Sequence, residues 1–157
     1  MMKAKMKRLM ALVFAVVIVA SGFVMASAAP VETVTVTYLE DGSYIVKTIS
    51  EVQQVSIFAV SATRTKSGTA TQEYYNSSDE LMWELSVHCT FTYDGSSAEA
   101  TDADCSYDVY SSSWSCRSAS ASCSGATARA TGTFRHLGVF SETATVTLTC
   151  SPSGTLS

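Results

Sequence analysis

Basic residues are scarce beyond the start of this 157-residue chain. Four of its ten lysines and arginines, Lys3, Lys5, Lys7 and Arg8, fall at the very beginning, whereas all 14 acids lie past position 31. The remainder is strongly acidic and lacks the clustered cations that phosphate contact requires, which argues against a nucleic-acid partner and against docking on anionic membranes. Histidine occurs twice, as His88 and His136, so few side chains are poised to act as a base at neutral pH. No G-x-S-x-G, C-x-x-C or H-x-x-x-H spacing is present, which removes the usual signatures of a serine hydrolase and of a zinc site. After residue 30 no apolar run approaches the ~18 residues of a membrane span. With only two prolines and 15% charged residues, the chain is otherwise dominated by Ser, Thr and apolar side chains.

The one long apolar run comes first. The four cations precede Leu9 to Ala20, and the small residues Ala26-Ser27-Ala28-Ala29 follow before Pro30. Charged start, apolar middle and A-x-A ending form the pattern of a secretory signal peptide. The expected organisation is therefore a signal peptide over 1–29, cleaved after Ala28 or Ala29, and a single domain over 30–157. No cysteine stands at the expected cleavage site after the apolar run, so a lipid-modified N-terminal cysteine is not expected. The expected location is secreted, extracellular, with no membrane span after cleavage.

The Ser/Thr-rich remainder alternates. Period-two patterns of Thr, Val, Tyr and Phe mark half-buried strands. Thr33 to Leu39 and Tyr44 to Ile49 flank Asp41-Gly42, a hairpin signal. Val55 to Thr63 and Thr69 to Tyr75 flank Lys66-Ser67-Gly68, read as a second turn. Leu81 to Tyr93 places Trp83, Leu85, Val87, Cys89, Phe91 and Tyr93 on one face, with Glu84, Ser86, His88, Thr90 and Thr92 on the other. Asp94-Gly95 turns this strand into Ser97 to Thr101, followed by Ala103 to Tyr110; equal pairing about that turn sets Cys89 opposite Ala100. Trp114 to Cys123, Ala126 to Arg135 and Thr143 to Cys150 complete the set. Nine or ten strands without a helix predict an all-β antiparallel sandwich, whose small in-facing residues (Ala119, Ala121, Ala126, Ala128, Ala130, Gly132) let two sheets approach closely.

Lys66-Ser67-Gly68, Tyr74-Tyr75-Asn76-Ser77-Ser78, Leu81-Met82-Trp83, Phe91-Thr92-Tyr93-Asp94-Gly95-Ser96-Ser97-Ala98, Ser118-Ala119-Ser120, Ser124-Gly125 and the ending Val146-Thr147-Leu148-Thr149-Cys150-Ser151 to Leu156-Ser157 carry a resemblance. Over most of residues 40–157 the chain resembles a group of small, secreted, β-rich proteins of Gram-positive gut bacteria. The resemblance implies export and an all-β fold and supplies no catalytic residue. Proteins of that group carry a cysteine where this chain has Glu99-Ala100, so no disulfide is transferred.

All five cysteines, Cys89, Cys105, Cys116, Cys123 and Cys150, lie in the exported part, where oxidising conditions favour crosslinks. Sequence alone leaves many connectivities open. Strand parity points Cys89 and Cys150 inward and favours that pair, with Cys105 joined to Cys116 or Cys123. Cys116 shares parity with Trp114 and Cys123 with Ala119 and Ala121, so the expected bridges use Cys89, Cys150, Cys105 and Cys123, and Cys116 is the expected free thiol. A change of parity between Trp114 and Ala119 requires a bulge.

No catalytic, cofactor-binding or metal residues are expected. Glu99, Asp102, Asp104 and Asp108 have spacing that hard oxygen ligands for calcium can share, but the simpler reading is a solvated acidic strand blunting a sheet edge. Trp114, Tyr110 and Tyr75 are the aromatics expected on a binding face, where such rings stack on sugars or partner side chains. The function expected is a non-catalytic binding or surface-interaction module for an extracellular ligand. The alternatives are a small antibacterial, toxin-like effector and a secreted hydrolase.

Overall fold

The structure is a computed structural model that describes residues 32–52 and 63–157. The expected signal peptide and most of the expected strand Val55 to Thr63 lie outside the described residues. Eight antiparallel strands are present among those described: β1 (Glu32–Tyr38), β2 (Tyr44–Val52), β3 (Arg64–Tyr75), β4 (Leu81–Tyr93), β5 (Ala98–Val109), β6 (Trp114–Ser124), β7 (Thr127–His136) and β8 (Phe140–Thr149). They form a five-stranded sheet in the order β1-β2-β3-β4-β5 and a three-stranded sheet in the order β6-β7-β8. The two pack face to face as a two-layer all-β fold. Among the described residues, no helix is long and apolar enough to cross a membrane.

Alternation explains the layering. On β4 the side chains of Trp83, Leu85, Val87, Cys89 and Phe91 are buried, as the period-two pattern predicts. They meet Ala128, Ala130 and Phe134 of β7 and Ala144, Val146 and Leu148 of β8. The small residues do what their size suggests. A Cβ on Gly132 would come within 2.9 Å of the Phe134 ring and 3.2 Å of Leu85 on the facing sheet, so glycine sets how closely the layers approach. Outward from the small sheet point Ser and Thr side chains with Arg117 and Arg129 among them, both exposed. That sheet's single acid, Glu142, stands opposite buried Phe134 instead.

Three sequence readings are corrected. Lys66-Ser67-Gly68 is no turn but part of β3, running antiparallel to Phe91, Thr90 and Cys89. Gly68 is a strand glycine because a Cβ there would collide with Leu156, folded back from the C-terminal tail, and crowd the Ser50 carbonyl. The segments Ser97 to Thr101 and Ala103 to Tyr110 fuse into β5, which absorbs one extra residue at a bulge opposite Thr90 and Phe91. The β4–β5 connection is longer than an Asp-Gly pair alone would make it. The Asp94 carboxylate accepts hydrogen bonds from the backbone N–H groups of Ser96 (2.9 Å) and Ser97 (2.8 Å), and Gly95 takes the positive φ of +90° that this turn requires. Tyr93 therefore faces Ala98, and Cys89 faces Ala103 rather than Ala100.

The tail closes one end of the two-sheet fold. Cys150 pairs with Leu156 in a short bridge, Leu156 is buried, and its N–H donates to the Glu51 carboxylate, which also pairs with Lys66 at 3.0 Å.

Candidate functional site

The outer face of the large sheet gathers the polar chemistry. Between the shifts at Tyr74/Tyr75 and Thr90/Phe91 the register runs unbroken from β1 to β5, so residues of one parity line up in rows across the strands. Val36, Val46, Glu73, Glu84 and Asp108 form one row. Val34, Thr48, Thr71, Ser86 and Ser106 form the next, followed by Glu32, Ser50, Thr69, His88 and Asp104. Beyond the first row, Tyr38, Tyr44 and Tyr75 stand side by side on β1, β2 and β3.

Glu73 and Glu84 are direct cross-strand neighbours, and Asp108 continues the line. Like charges placed opposite one another disfavour a sheet, so this row lowers the stability of the face that carries it. No lysine or arginine shares this face among the described residues. Tyrosine hydroxyls supply the compensating donors: Tyr75 donates to Glu73 at 3.3 Å and Tyr110 to Glu84 at 3.1 Å. The carboxylates in turn hold the phenols in their protonated, donating form. The hydrogen bond to Glu84 pushes the Tyr110 phenol above its ordinary value, while burial and then Glu73 raise Tyr75. Tyr44 is raised by desolvation and by Asp79.

The rings form a ladder. Tyr44 and Tyr75 stack with centroids 4.9 Å apart and planes 5° from parallel, and Tyr38 leans on Tyr44 at 5.5 Å. Cross-strand stacking stands the rings on edge, so they offer edges and hydroxyls rather than flat platforms. With Val34, Val36 and Val46 beside them, the β1–β2 side of the face is apolar and the β3–β5 side acidic. Tyr38 and Tyr110 are among the most exposed large side chains of the described residues.

A shallow groove of about 260 Å³ opens on the same face, lined by Ser67, Thr69, His88, Thr90, Asp102 and Asp104 among others. His88, one of its lining residues, has Nδ1 in a 2.8 Å hydrogen bond with the Thr69 hydroxyl and Nε2 in a 3.0 Å hydrogen bond with the Ser106 hydroxyl. Threonine thus occupies the place where a hydrolytic triad would need an orienting carboxylate. Asp104, opposite His88, instead accepts from the Cys105 backbone N–H at 2.8 Å. Glu99, Asp102, Asp104 and Asp108 are exposed along β5, the outer strand of the sheet. No group of three or more His, Cys, Asp or Glu side chains among the described residues could hold a metal ion.

Of the aromatics expected on a binding face, the structure brings Tyr75 and Tyr110 to this surface and sends Trp114 elsewhere. Trp114 is half-buried on the inner side, stacked on His136 with centroids 4.8 Å apart and edge-on to Tyr74 and Trp83. The bulge that the parity change between Trp114 and Ala119 requires lies between Cys116 and Ser118, and it brings Trp114 to the same inner side as Ala119. Tyr38, Tyr44 and the Glu73–Glu84 row were missed. The β1–β2 hairpin was legible from Asp41-Gly42, but its register was not, because equal pairing about that turn would set Leu39 opposite Tyr44 where the structure sets Tyr38, and the β2–β3 register lay behind the misread Lys66-Ser67-Gly68 segment. All five cysteines stand as free thiols: Cys89 and Cys150 buried, Cys105 and Cys116 half-buried, and Cys123 exposed. Cys116, expected at the surface, is thus more enclosed than Cys123.

No protein-family model, curated protein or solved structure matches the chain.

Proposed function

We propose that this is an exported, non-catalytic binding module whose outer five-stranded face takes a cationic, apolar-bearing peptide segment of an extracellular partner. The observation that carries the reading is the acid row Glu73, Glu84 and Asp108 beside the tyrosine ladder, without a lysine or arginine on that face among the described residues. Carboxylates would pair with lysine or arginine, and the tyrosine edges with Val34, Val36 and Val46 would cover aliphatic neighbours, an arrangement that combines charge complementarity with apolar contact. Export follows from the signal-peptide pattern and is tested by N-terminal sequencing of secreted material, expected to begin at Ala29 or Pro30.

The binding test is titration of the purified protein with a synthetic peptide of alternating lysine and leucine, followed by amide chemical shifts. Perturbations are expected on β3, β4 and β5 and to weaken with added salt. The double variant Glu73→Gln, Glu84→Gln should bind about tenfold more weakly, a loss of ~1.4 kcal/mol. Unchanged affinity in that variant, or tighter binding to an uncharged oligosaccharide than to the peptide, would overturn the assignment.

A further inference from the structure

The five thiols are not spread evenly. They fall into two groups along the seam where β6, an outer strand of the small sheet, runs beside the large sheet. Only a short turn joins β5 to β6, so the chain doubles back, and at the far end the Ala100 N–H donates to the Gly125 carbonyl at 2.8 Å. Near the turn, Cys105 of β5 and Cys116 of β6 both pack against the core. The Cys116 thiol is raised first by burial and also by the Cys105 sulfur, so the two groups sense one another.

At the far end, Cys123 lies two residues before Gly125, and Cys89 faces Ala103 on β5, three residues from Ala100. Cys150 reaches the same place from β8, its N–H donating to the Ala126 carbonyl at 3.0 Å. Burial, then the neighbouring Cys123 sulfur and more weakly that of Cys150, push the Cys89 thiol up to about 11.

We propose that oxidation forms two bridges between the sheets, Cys105–Cys116 and Cys89–Cys123, and leaves Cys150 as the enclosed, unpaired thiol. The choice of Cys123 over Cys150 rests on access as well as position. Cys150 is only 1% exposed, and its thiol donates to the Ser151 carbonyl at 3.4 Å. Cys123, at the open end of β6, is reachable by an external oxidant. The oxidant is the disulfide of a thiol oxidoreductase or of glutathione. The Cys123 thiolate attacks that disulfide and expels one thiolate. The Cys89 thiolate then attacks the Cys123 sulfur of the mixed disulfide and expels the second, so that two protein thiols lose two protons and two electrons and the oxidant becomes two thiols. Cys105 and Cys116 close by the same exchange. This pairing differs from the parity expectation because the bulge between Cys116 and Ser118 keeps Cys116 inward. Both bridges anchor β6, which among the described residues has a ladder partner only in β7.

The test uses the purified full chain, reduced and then oxidised in a glutathione redox buffer, so that it depends neither on ligand nor on export. After oxidation the protein is denatured, remaining thiols are alkylated, and trypsin, a glutamate-specific protease and an aspartate-specific protease cut after Glu99, before Asp108, and after Arg117, Arg129 and Glu142, separating every cysteine. Two linked peptide pairs, Cys105 with Cys116 and Cys89 with Cys123, and a single alkyl group on Cys150 are expected. The Cys150→Ala variant should form the same two bridges. A Cys89–Cys150 link, an alkylated Cys116, five alkylated cysteines, or loss of either bridge in Cys150→Ala would overturn the pairing.

Discussion

Trp83 shows how much one side chain organises here. It is wholly buried, stacked on Phe134 of the facing sheet with centroids 4.1 Å apart and on Tyr74 of its own sheet at 5.4 Å. Trp83→Ala removes the ring that joins the layers and should destabilise the fold by roughly 3 to 5 kcal/mol in chemical denaturation. This was legible in sequence, since Trp83 sits amid five further apolar residues of one parity. Asp94 is the opposite case, fully exposed yet tightly bound by its turn. Hydrogen bonds from Ser96 and then Ser97 lower its carboxyl from the ordinary 3.8 to about 2. With the folded value depressed, the unfolded chain takes up the proton first as pH falls, so the turn's contribution is complete above about pH 4 and fades toward about pH 2. A carbon-detected NMR titration should place the Asp94 midpoint near the lower value, and an Asp94→Asn protein should lose that part of its pH dependence.

At the scale of elements, the informative feature is the irregularity in β6. Regular alternation would send Trp114 and Cys116 to the side opposite Ala119 and Ala121; one extra residue at Arg117 brings all four to the inner side. The need for a bulge was legible in the parity conflict, but which side would turn was not, because Ser-rich flanks carry no apolar signal. Deleting Arg117 removes the extra residue and leaves Trp114, Cys116, Ala119 and Ala121 in one regular parity, so Trp114 should stay on the inner side; an unshifted tryptophan emission is expected, and a red shift would show that the bulge does more than turn the strand. Gly68 teaches a related lesson: its partner Leu156 comes from the far end of the chain, and no local pattern announces a contact so distant in sequence.

For the whole molecule, the class and the hairpins on either side of β7 were readable, whereas the five-plus-three division was hidden in long-range register. That division predicts uneven local stability. In the β1–β2 hairpin, among residues whose burial is described, only Ser43 and Ile49 are buried, while β4 is buried along most of its length. Hydrogen exchange should find β1 amides exchanging well before those of β4, which open only with global unfolding. Equal protection of the two strands would mean that the hairpin opens only with the rest of the fold.

The arginines on the outer side of the small sheet and the carboxylates on the outer side of the large one give the two-sheet fold two electrical poles across its thickness. A molecule so polarised is turned by a distant charge before anything touches. Approaching a cationic partner, it would arrive tyrosine-and-carboxylate side first, so that a larger share of collisions begins in a productive orientation, an advantage that grows as ionic strength falls.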